Sequence, residues 1–324
     1  MARTDLTKSL LSRYEKLEGQ RQNWETHWQE VADYMQPRKA DVTKTRARGD
    51  KRNELIFDSS PIQAVELLAA SLHGMLTNPS TPWFTLRFKD EDVENEDEAK
   101  IWLESATEAM YTAFNRSNFQ QEIFELYHDL ITFGTAAMFI EEDDEDLIKF
   151  STRHINEVFV AENDKGRIDT IFRRFKISAR AAVQKFGDTV SSDIQGIFKK
   201  DPYQEVEILH AVYPRSDFDP KKKDKNNMPF ESVYLEYKNA NELSISGFKE
   251  FPFVVPRYLK ASNEIYGRSP AMTALPDVKM LNEMSKTTIK AAQKQVDPPL
   301  LVPDDGFLLP VRTVPGGLNF YRSG

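Results

Sequence analysis

The stretch SPAMTALPDVKMLNEMSKTTIKAAQKQVDPP, from Ser269 to Pro299, decides the architecture of this chain because it describes one long helix with a marked start and end. Ser269 is a suitable N-cap, and Pro270 stands at the first helical position, where a missing N–H costs nothing. Pro276 is expected to bend or restart the helix, and the Asp297-Pro298-Pro299 run ends it. The sequence therefore predicts a rod of roughly 30 Å after Pro276, at about 1.5 Å per residue.

This predicted helix has two opposed faces. A helix repeats every 3.6 residues, so residues three, four and seven apart share a face. One face is basic and contains Lys279, Lys286, Lys290 and Lys294. The other face is suited to packing and contains Met280, Leu281, Met284, Ala291 and Ala292. The pattern indicates a helix that packs along one side and exposes a stripe of lysines to solvent on the other.

Composition narrows the class of protein. The chain has 324 residues, of which 40% are hydrophobic, so it can bury the core of one large or two ordinary domains. It has no cysteine, which excludes disulfides and thiolate metal sites. No apolar run approaches the roughly 18 residues that a membrane helix needs. The net charge of −8 opposes tight DNA binding over the whole surface, but not a protein that surrounds DNA and lets it slide.

The N-terminal half of the chain is predicted to be helical. Apolar residues recur at helical spacing from Leu6 to Met35, from Ser60 to before Asn78, from about Glu96 to Phe114 and from Asn118 to Phe133. In the second of these helices the expected buried stripe is Ile62, Val65, Leu68, Leu72 and Met75. Between the first two helices, residues 38 to 52 hold seven basic and two acidic side chains, which predicts a mobile, solvated loop.

After Gly134 the period of the apolar residues changes from helical to two. This alternation predicts short antiparallel strands, with a hairpin turn at Asn163 to Gly166. The expected strands are Ala136–Ile140, Leu147–Phe150, Glu157–Val160, Ile168–Phe175, Glu205–Tyr213, Ser232–Tyr237 and Leu243–Ser246, and one helix is expected over Ser178–Phe186. The sequence thus predicts an α+β fold with a helix-rich N-terminal half, antiparallel strands in the middle and a long helix near the end.

Five ordered segments of the chain resemble the head-to-tail connector (portal) proteins of T7-like short-tailed bacteriophages. They are WQEVADYMQPR (Trp28 to Arg38), FDSSPIQAVELLAASLHGMLTNPSTPWF (Phe57 to Phe84), FGTAAMFIEE (Phe133 to Glu142), RHINEVFVAENDKGRIDTIFRRF (Arg153 to Phe175) and FPFVVPRYLKASNEIYGRSPAMTALPDVKMLN (Phe251 to Asn282). Members of that family are longer than this chain, which stops at Gly324. The sequence is therefore expected to be a fragment or a short relative, truncated on its C-terminal side.

The resemblance implies an architecture and a role. Residues 1–262 would form the wing or body, residues 263–296 the stem helix along a channel, and residues 297–324 the start of the clip region, with a short strand at Phe307 to Leu309. The assembled form would be a ring, usually a dodecamer, at one capsid vertex. Its stem would place Lys279, Lys286, Lys290 and Lys294 toward double-stranded DNA, without sequence specificity, and pack subunits through Met280, Leu281, Met284 and Ala291.

The same resemblance implies partners and a place of action. The ring would admit DNA during packaging and release it during ejection, and it would contact a terminase motor, a tail adaptor, and scaffold and capsid proteins. The protein would assemble in the host cytoplasm and reside in the virion. No membrane contact and no cofactor are expected.

The residues themselves offer little for catalysis. No G-x-x-x-x-G-K-[ST], G-x-S-x-G or H-E-x-x-H pattern occurs, and the five histidines have no metal-ligand spacing. We therefore expect a protein without catalytic activity. Asp277 and Lys279 echo half of a metal-dependent nuclease motif, but such residues are expected on a strand and here open a helix. A nuclease, and a helical adaptor protein that forms no ring, are the alternative hypotheses.

Two acidic runs are expected to be exposed turns. Glu141 to Asp146 is six consecutive carboxylates, and residues 90 to 98 hold seven acids in nine positions. Neither run has the alternating ligands and central glycine of a calcium loop, so no metal site is predicted there.

Overall fold

The computed structural model describes residues 3–47, 49–89, 96–222, 224 and 227–297, and within them the order of elements is mixed α and β. The helices are α1 (Arg3–Met35), α2 (Ser60–Leu76), α3 (Asp97–Arg116), α4 (Phe119–Phe133), α5 (Ala179–Phe186), α6 (Ser192–Lys200) and α7 (Pro270–Val296). The strands are β1 (Ala137–Asp143), β2 (Leu147–Arg153), β3 (Val158–Glu162), β4 (Ile168–Ser178), β5 (Glu205–Pro214), β6 (Phe230–Glu236), β7 (Glu242–Phe248) and β8 (Phe253–Val254). The predicted α+β class is confirmed.

Two antiparallel sheets form the middle of the molecule. One has three strands in the order β2-β1-β8, and the other has five in the order β3-β4-β5-β6-β7. The turn between β3 and β4 lies where it was predicted, with Gly166 at a φ of 69° that favours glycine. Helix α6 and strand β8 were not predicted. The prediction missed them because both are short and their apolar residues are too few to show a period.

The five-stranded sheet is covered on both faces. One face packs against the N-terminal half of α1, where Leu10 and Tyr14 meet Phe159, Phe172 and Leu209. The other face meets the three-stranded sheet and helices α5 and α6. Side chains alternate between the two faces because successive residues of a strand point in opposite directions.

The sequence left open whether this region is one helix or two joined near Gly19, and α1 runs through Gly19 without interruption. Trp28, near its C-terminal end, is fully buried, and its indole N–H donates to the carbonyl oxygen of Phe133 at 3.0 Å. Because an unpaired indole N–H in a core is costly, this bond fixes α1 against the end of α4.

Helix α2 differs from its prediction on one side. Val65 and Ala69 are buried as expected for a helix that packs on α4, but Met75 is 72% exposed. Leu67, on the outer side, is 70% exposed. The predicted stripe was wrong at Met75 because α4 contacts α2 along a narrower line than the apolar residues of α2 occupy.

The basic segment after α1 is held to the body, which contradicts the predicted mobile loop. Gln29 is buried, and its side-chain oxygen accepts hydrogen bonds from the backbone N–H groups of Val42 and Thr43 at 3.0 and 2.9 Å. Its amide nitrogen donates to the carbonyl oxygen of Ala40 at 2.7 Å. Lys44 pairs with Asp33 at 2.7 Å. Some positive charges of the segment are therefore paired with nearby carboxylates.

Asp129 of α4 gives the fold a pH dependence. It is 1% exposed, and the ammonium of Lys39 lies 2.6 Å from one of its oxygens. Burial nevertheless raises the pKa of Asp129 to about 6. The folded state thus binds this proton more tightly than the unfolded chain, whose Asp pKa is about 3.9. The contribution of Asp129 to stability is present below about pH 4 and is lost as pH rises through 6.

We expect the Asp129→Asn variant to show a flatter dependence of unfolding free energy on pH than the parent protein between pH 4 and pH 7. The difference between the two should change by about 2–3 kcal/mol across this range, since one pKa unit is about 1.4 kcal/mol. Urea unfolding at a series of pH values measures it. Parallel curves for the two proteins would show that Asp129 is ionised in the folded state throughout.

Candidate subunit and DNA surfaces of helix α7

The start of α7 is fixed by its own capping residue. The Ser269 hydroxyl oxygen accepts a hydrogen bond from the backbone N–H of Met272 at 3.0 Å, as predicted for an N-cap. The same hydroxyl donates to the carbonyl oxygen of Thr132, in the last turn of α4, at 2.9 Å. One side chain therefore both caps α7 and ties it to α4. The expected restart at Pro276 does not occur, because the helix is continuous from Pro270 to Val296.

Two glycines meet immediately before this start. Gly134 ends α4 with a φ of 75°, and its carbonyl oxygen accepts from the backbone N–H of Tyr258 at 2.9 Å. A Cβ atom placed on Gly134 would lie 2.3 Å from the carbonyl oxygen of Gly267. The N–H of Gly267 in turn donates to the Thr135 hydroxyl at 2.8 Å. The two backbones thus cross in direct contact, which sets the position from which α7 leaves the body.

The first half of α7 packs on the body through one face. Its buried residues are Ala271, Met272, Leu275, Val278 and Asn282. Asn282 is 7% exposed, and its side-chain oxygen accepts from the N–H of Phe57 at 2.7 Å while its amide donates to the carbonyl oxygen of Leu55 at 2.9 Å. The sequence prediction missed this residue. Its spacing of seven from Leu275 and four from Val278 was the available signal for a buried polar contact.

The second half of α7 leaves the body. All of residues 287–297 are exposed. At about 1.5 Å per residue, the whole helix is about 40 Å long and the exposed end accounts for about 15 Å of it. An isolated helical segment of this length has little stability of its own in water. This half of α7 is therefore a surface from which partner contacts are expected.

The apolar residues singled out in α7 lie on the surface of the single chain. Met280, Leu281 and Met284 are 61%, 39% and 59% exposed, and Ala291 is exposed. With a rotation of about 100° per residue, Met280, Met284 and Ala291 lie opposite the body-facing residues. We call Met280, Leu281, Met284 and Ala291 the Met280 face. None of the described residues covers it.

The four lysines fall into two kinds. The ammonium of Lys279 lies 2.5 Å from a carboxylate oxygen of Glu30 on α1, and this hydrogen bond raises the pKa of Lys279. Lys286 pairs with Glu283 at 3.0 Å and lies 5.7 Å from the centroid of the Phe57 ring. Lys290 and Lys294 stand on the exposed half, and none of the described carboxylates lies within 4.0 Å of them.

The lysine stripe is therefore not uniform. The rotation of about 100° per residue places the lysines between the body-facing residues and the Met280 face. The sequence suggested two opposed faces, whereas the structure divides the helix into three. Lys279 was taken as a DNA-facing residue, but it reaches a partner on its own body, Glu30, that lies 249 positions away in sequence. No local pattern could have revealed that contact.

The residues behind the nuclease hypothesis do not converge. Asp277 is exposed on α7, and Lys279 is engaged with Glu30. Within the described ranges, no group of three or more His, Asp or Glu side chains is placed to hold a metal ion. Only half of the acidic run from Glu141 is the predicted turn: its first three residues end β1, and residues 144–146 form the tip of the β1–β2 hairpin, where a carboxylate oxygen of Asp143 accepts from the N–H of Asp146 at 3.0 Å. Residues 90–95 lie outside the described residues.

Among the residues that the structure describes, none of the helices combines the length and apolarity needed to cross a membrane.

The chain is thus a mixed α+β protein, and the C-terminal half of its last described helix, α7, extends beyond the body. The chain belongs to the family described as bacteriophage head to tail connecting protein, whose sequence profile matches residues 7–324. It is 34% identical to the probable portal protein of Bordetella phage BPP-1, over 99% of this chain and 59% of that protein. It is also 34% identical to the portal protein of Salmonella phage epsilon15, over 99% of this chain and 58% of that protein.

These relatives refine the resemblance read from the sequence. They support the connector family as a whole, and neither of them comes from phage T7, so the T7-like group stays a prediction. The chain spans about three fifths of the length of the two relatives, 59% and 58%.

Proposed function

We propose that this chain is a subunit of a portal ring, the head-to-tail connector at one capsid vertex. The ring would form the channel through which DNA is packaged and ejected, and the platform on which the packaging motor and the tail dock. Membership of the connector family and the two portal relatives support this proposal. We propose a structural and not an enzymatic role, in keeping with that family.

The observation that carries the proposal is the exposed Met280 face of α7. Met280 and Met284 are both more than half exposed, and the opposite side of the same helix already packs on the body. They form an apolar surface whose exposure to water is unfavourable. In a closed ring, each subunit offers such a surface to the next one by the same rotation. The Met280 face is placed to pack against a neighbouring subunit, with Ala291 allowing close approach farther along the helix.

The division of the chain follows the same proposal. Residues 1–262, with both sheets and α1 to α6, would be the wing or body, and residues 263–296 would be the stem. Residues 297–324 would begin the clip region. The stem boundary is supported by the crossing of Gly134 and Gly267, since α7 leaves the body directly after it. The clip prediction, including the strand at Phe307 to Leu309, lies outside the described residues.

The proposed partners are those of a portal. The ring would be a dodecamer of this chain, would hold double-stranded DNA without sequence specificity, and would contact a terminase motor, a tail adaptor, and scaffold and capsid proteins. It would assemble in the host cytoplasm and remain in the virion. No cofactor and no membrane contact form part of the proposal.

Ring formation is tested by charge on the Met280 face. We expect Met284→Asp to lower the mass of the assembled species, because a carboxylate buried between two helices loses its water without gaining a partner. Native mass spectrometry reports the assembly, and far-UV circular dichroism reports that α7 still forms. Gln293→Asp is the matched control, since Gln293 is exposed on the other side of the same helix. Equal masses for both variants and the parent would place the subunit contact elsewhere.

DNA contact is tested by the lysines. We expect replacement of Lys286, Lys290 and Lys294 by glutamine to leave the ring intact and to weaken DNA retention, with a shallower dependence of affinity on salt. Each lost phosphate contact reduces the slope of log K against log salt by about 0.9. Packaging into heads and DNA binding by purified rings at several ionic strengths measure this. Lys279→Gln is the control, because Lys279 already pairs with Glu30. If the triple variant behaves like the parent at every salt concentration, the stripe faces away from DNA.

The alternative hypotheses have distinct outcomes in the same preparations. A metal-dependent nuclease would cleave DNA when a divalent cation is added, and Asp277→Asn would abolish the cleavage. A helical adaptor protein would show no closed ring by native mass or negative-stain imaging.

A further inference from the structure

Four positively charged side chains converge where the two sheets meet. Lys149 and Arg153 lie on β2, Arg173 lies on β4 and Lys185 lies on α5; we call these residues the cation cluster. None of them belongs to the connector surfaces described above. They come from three separate elements, so their convergence is a property of the fold and not of local sequence.

Aromatic rings join the members of the cation cluster. The guanidinium carbon of Arg153 lies 5.9 Å from the centroid of the Phe139 ring, and the ammonium of Lys185 lies 4.6 Å from that of Tyr234. Between them, His210 stacks on Tyr234 with centroids 3.9 Å apart and planes at 2°. Arg173 is the cross-strand neighbour of His210 on β4. The cations therefore lie around a stacked pair of rings, His210 and Tyr234, with the ammonium of Lys185 near the Tyr234 ring.

Only half of the cation cluster is neutralised by the chain itself. Nε of Arg173 donates to a carboxylate oxygen of Glu157 at 2.8 Å, and Lys149 lies 3.8 Å from Glu141. Among the described residues, no carboxylate lies within 4.0 Å of Arg153 or Lys185. Nε of Arg153 is moreover buried and has no hydrogen-bond partner in that part of the chain.

This arrangement is electrostatically unfavourable unless an anion is present. A buried guanidinium N–H without an acceptor has lost its water and gained nothing in exchange. Burial and the charge of Arg173 lower the pKa of Arg153. Lys185 is exposed overall, but partial desolvation of its ammonium and the charges of Arg173, Arg153 and Lys149 lower its pKa, against the opposite effect of Glu141. In both cases burial is the largest cause and neighbouring cations add to it, while Glu157 and Glu141 act in the opposite direction at Arg153 and Glu141 does so at Lys185.

The next residue of β4 shows the contrast. Arg174 faces the other side of the sheet, where its two terminal nitrogens lie 3.2 Å from Glu18 and 2.9 Å from Glu207. Arg174, on one face of β4, therefore has two carboxylate partners. Arg153, which lies on the other side of the sheet, has no described carboxylate within 4.0 Å. An arginine left unpaired beside a second unpaired cation is characteristic of a site that receives its counter-ion from outside.

We propose that the cation cluster binds an oxyanion, a phosphate or carboxylate group, held between Arg153 and Lys185 beside the stacked rings of His210 and Tyr234. The guanidinium of Arg153 offers directed N–H donors, including the Nε–H that has no acceptor in the described chain. Lys185 supplies a point charge from the opposite side. His210 stays neutral, because burial holds its pKa well below the usual histidine range. The site is distinct from the lysine stripe of α7.

Thermal unfolding of the full chain tests the proposal. Sodium phosphate and sodium acetate are titrated at pH 7 and constant ionic strength, with chloride as the reference anion. A ligand that binds only the folded state stabilises it by RT ln(1 + c/Kd), where c is the ligand concentration, so Tm rises with the logarithm of anion concentration once the concentration exceeds Kd. We expect such a rise with at least one of the two anions. A rise with phosphate alone identifies a phosphate site, and a rise with both identifies a site that also takes carboxylates.

Two variants and one control assign the effect to these residues. Arg153→Gln and Lys185→Gln should each weaken the apparent affinity at least about tenfold, which corresponds to about 1.4 kcal/mol. Lys176→Gln, which removes the same charge from an exposed position of β4, should leave the titration unchanged. General salting-out by phosphate grows in proportion to concentration and would persist in every variant. It is thereby separated from binding.

Stability without the anion supplies a second readout. In chloride alone, Arg153→Met should unfold at the same temperature as the parent or higher, since the variant removes an unpaired buried charge. The proposal is overturned if neither anion raises Tm above the chloride reference with this logarithmic dependence, or if the rise is unchanged in Lys185→Gln, whose exposed side chain can be replaced without harm to folding. A lower Tm for Arg153→Met in chloride, with the anion effect retained, would assign Arg153 to the fold instead.

Discussion

Replacing Gly134 with alanine is expected to destabilise the protein by about 3 kcal/mol or more, because two costs add at this position. The residue has a φ of 75°, in the left-handed region that non-glycine residues adopt at a cost of about 1 kcal/mol. The new Cβ would also lie 2.3 Å from the carbonyl oxygen of Gly267, so the backbones that cross there must separate. Overpacking of this kind typically costs about 1–3 kcal/mol.

Urea unfolding monitored by circular dichroism measures the loss, and two companion variants divide it. Gly267→Ala meets the same crossing from the other side, 2.4 Å from the carbonyl oxygen of Gly134, and should be comparably harmful. Gly49→Ala has a similar φ, 86°, with no atom within 4 Å of its new Cβ, and should show the backbone cost alone. Equal losses of unfolding free energy for Gly134→Ala and Gly49→Ala would mean that the backbones at Gly134 and Gly267 can separate without a cost in stability.

Replacing Arg21 with methionine is the second change expected to have a large effect, about 3–5 kcal/mol. Arg21 is 2% exposed, and its guanidinium donates to the carbonyl oxygens of Ile155 at 2.8 Å, Asn156 at 2.8 Å and Val158 at 2.5 Å. It also pairs with Glu25 at 2.7 Å and lies 3.6 Å from the centroid of the Phe159 ring. Methionine would leave the carbonyls without donors and Glu25 without its counter-ion.

Arg13→Met is the matched control for Arg21→Met. Arg13 lies on the same helix and also stacks over aromatic rings, with 4.7 Å between its guanidinium carbon and the centroid of Tyr213. It is exposed, so its loss should cost no more than about 1 kcal/mol. The difference between the two variants isolates the buried hydrogen bonds. If both variants unfold at the same denaturant concentration, the carbonyls near β3 find other donors when Arg21 is absent.

The sequence predicts most of this fold where a local rule operates. The change of period after Gly134 located the β region, and the Asn163 to Gly166 turn fixed the β3–β4 hairpin. Ser269 and Pro270 marked the first turn of α7 to the residue. In each case the signal lies within a few positions of the feature, since caps, turns and strand alternation are set by neighbouring residues.

The errors have a common physical origin in long-range contacts. The charges between Arg38 and Arg52 predicted a solvated loop, but the structure anchors that segment through Gln29. Gln29 lies in the preceding helix, and nothing in the neighbouring sequence indicates this contact. The predicted DNA contact of Lys279 stays a prediction, but its ion pair with Glu30 could not be foreseen from local sequence. Asn282 was not distinguished from the other polar residues of the sequence. Each of these side chains is given its role by a residue that only the tertiary fold brings near.

The exposed end of α7 has a consequence for how cooperatively the chain unfolds. Residues up to Asn282 share the core of the body, so their amide hydrogens should exchange with solvent only when the whole fold opens. Residues 287–297 contact no such core, and in a lone chain they should fray independently and exchange early. A partner that binds this end must also order it, which subtracts conformational entropy from the affinity of the contact. We therefore expect a single contact through this segment to be weak and several contacts that act together to be much stronger.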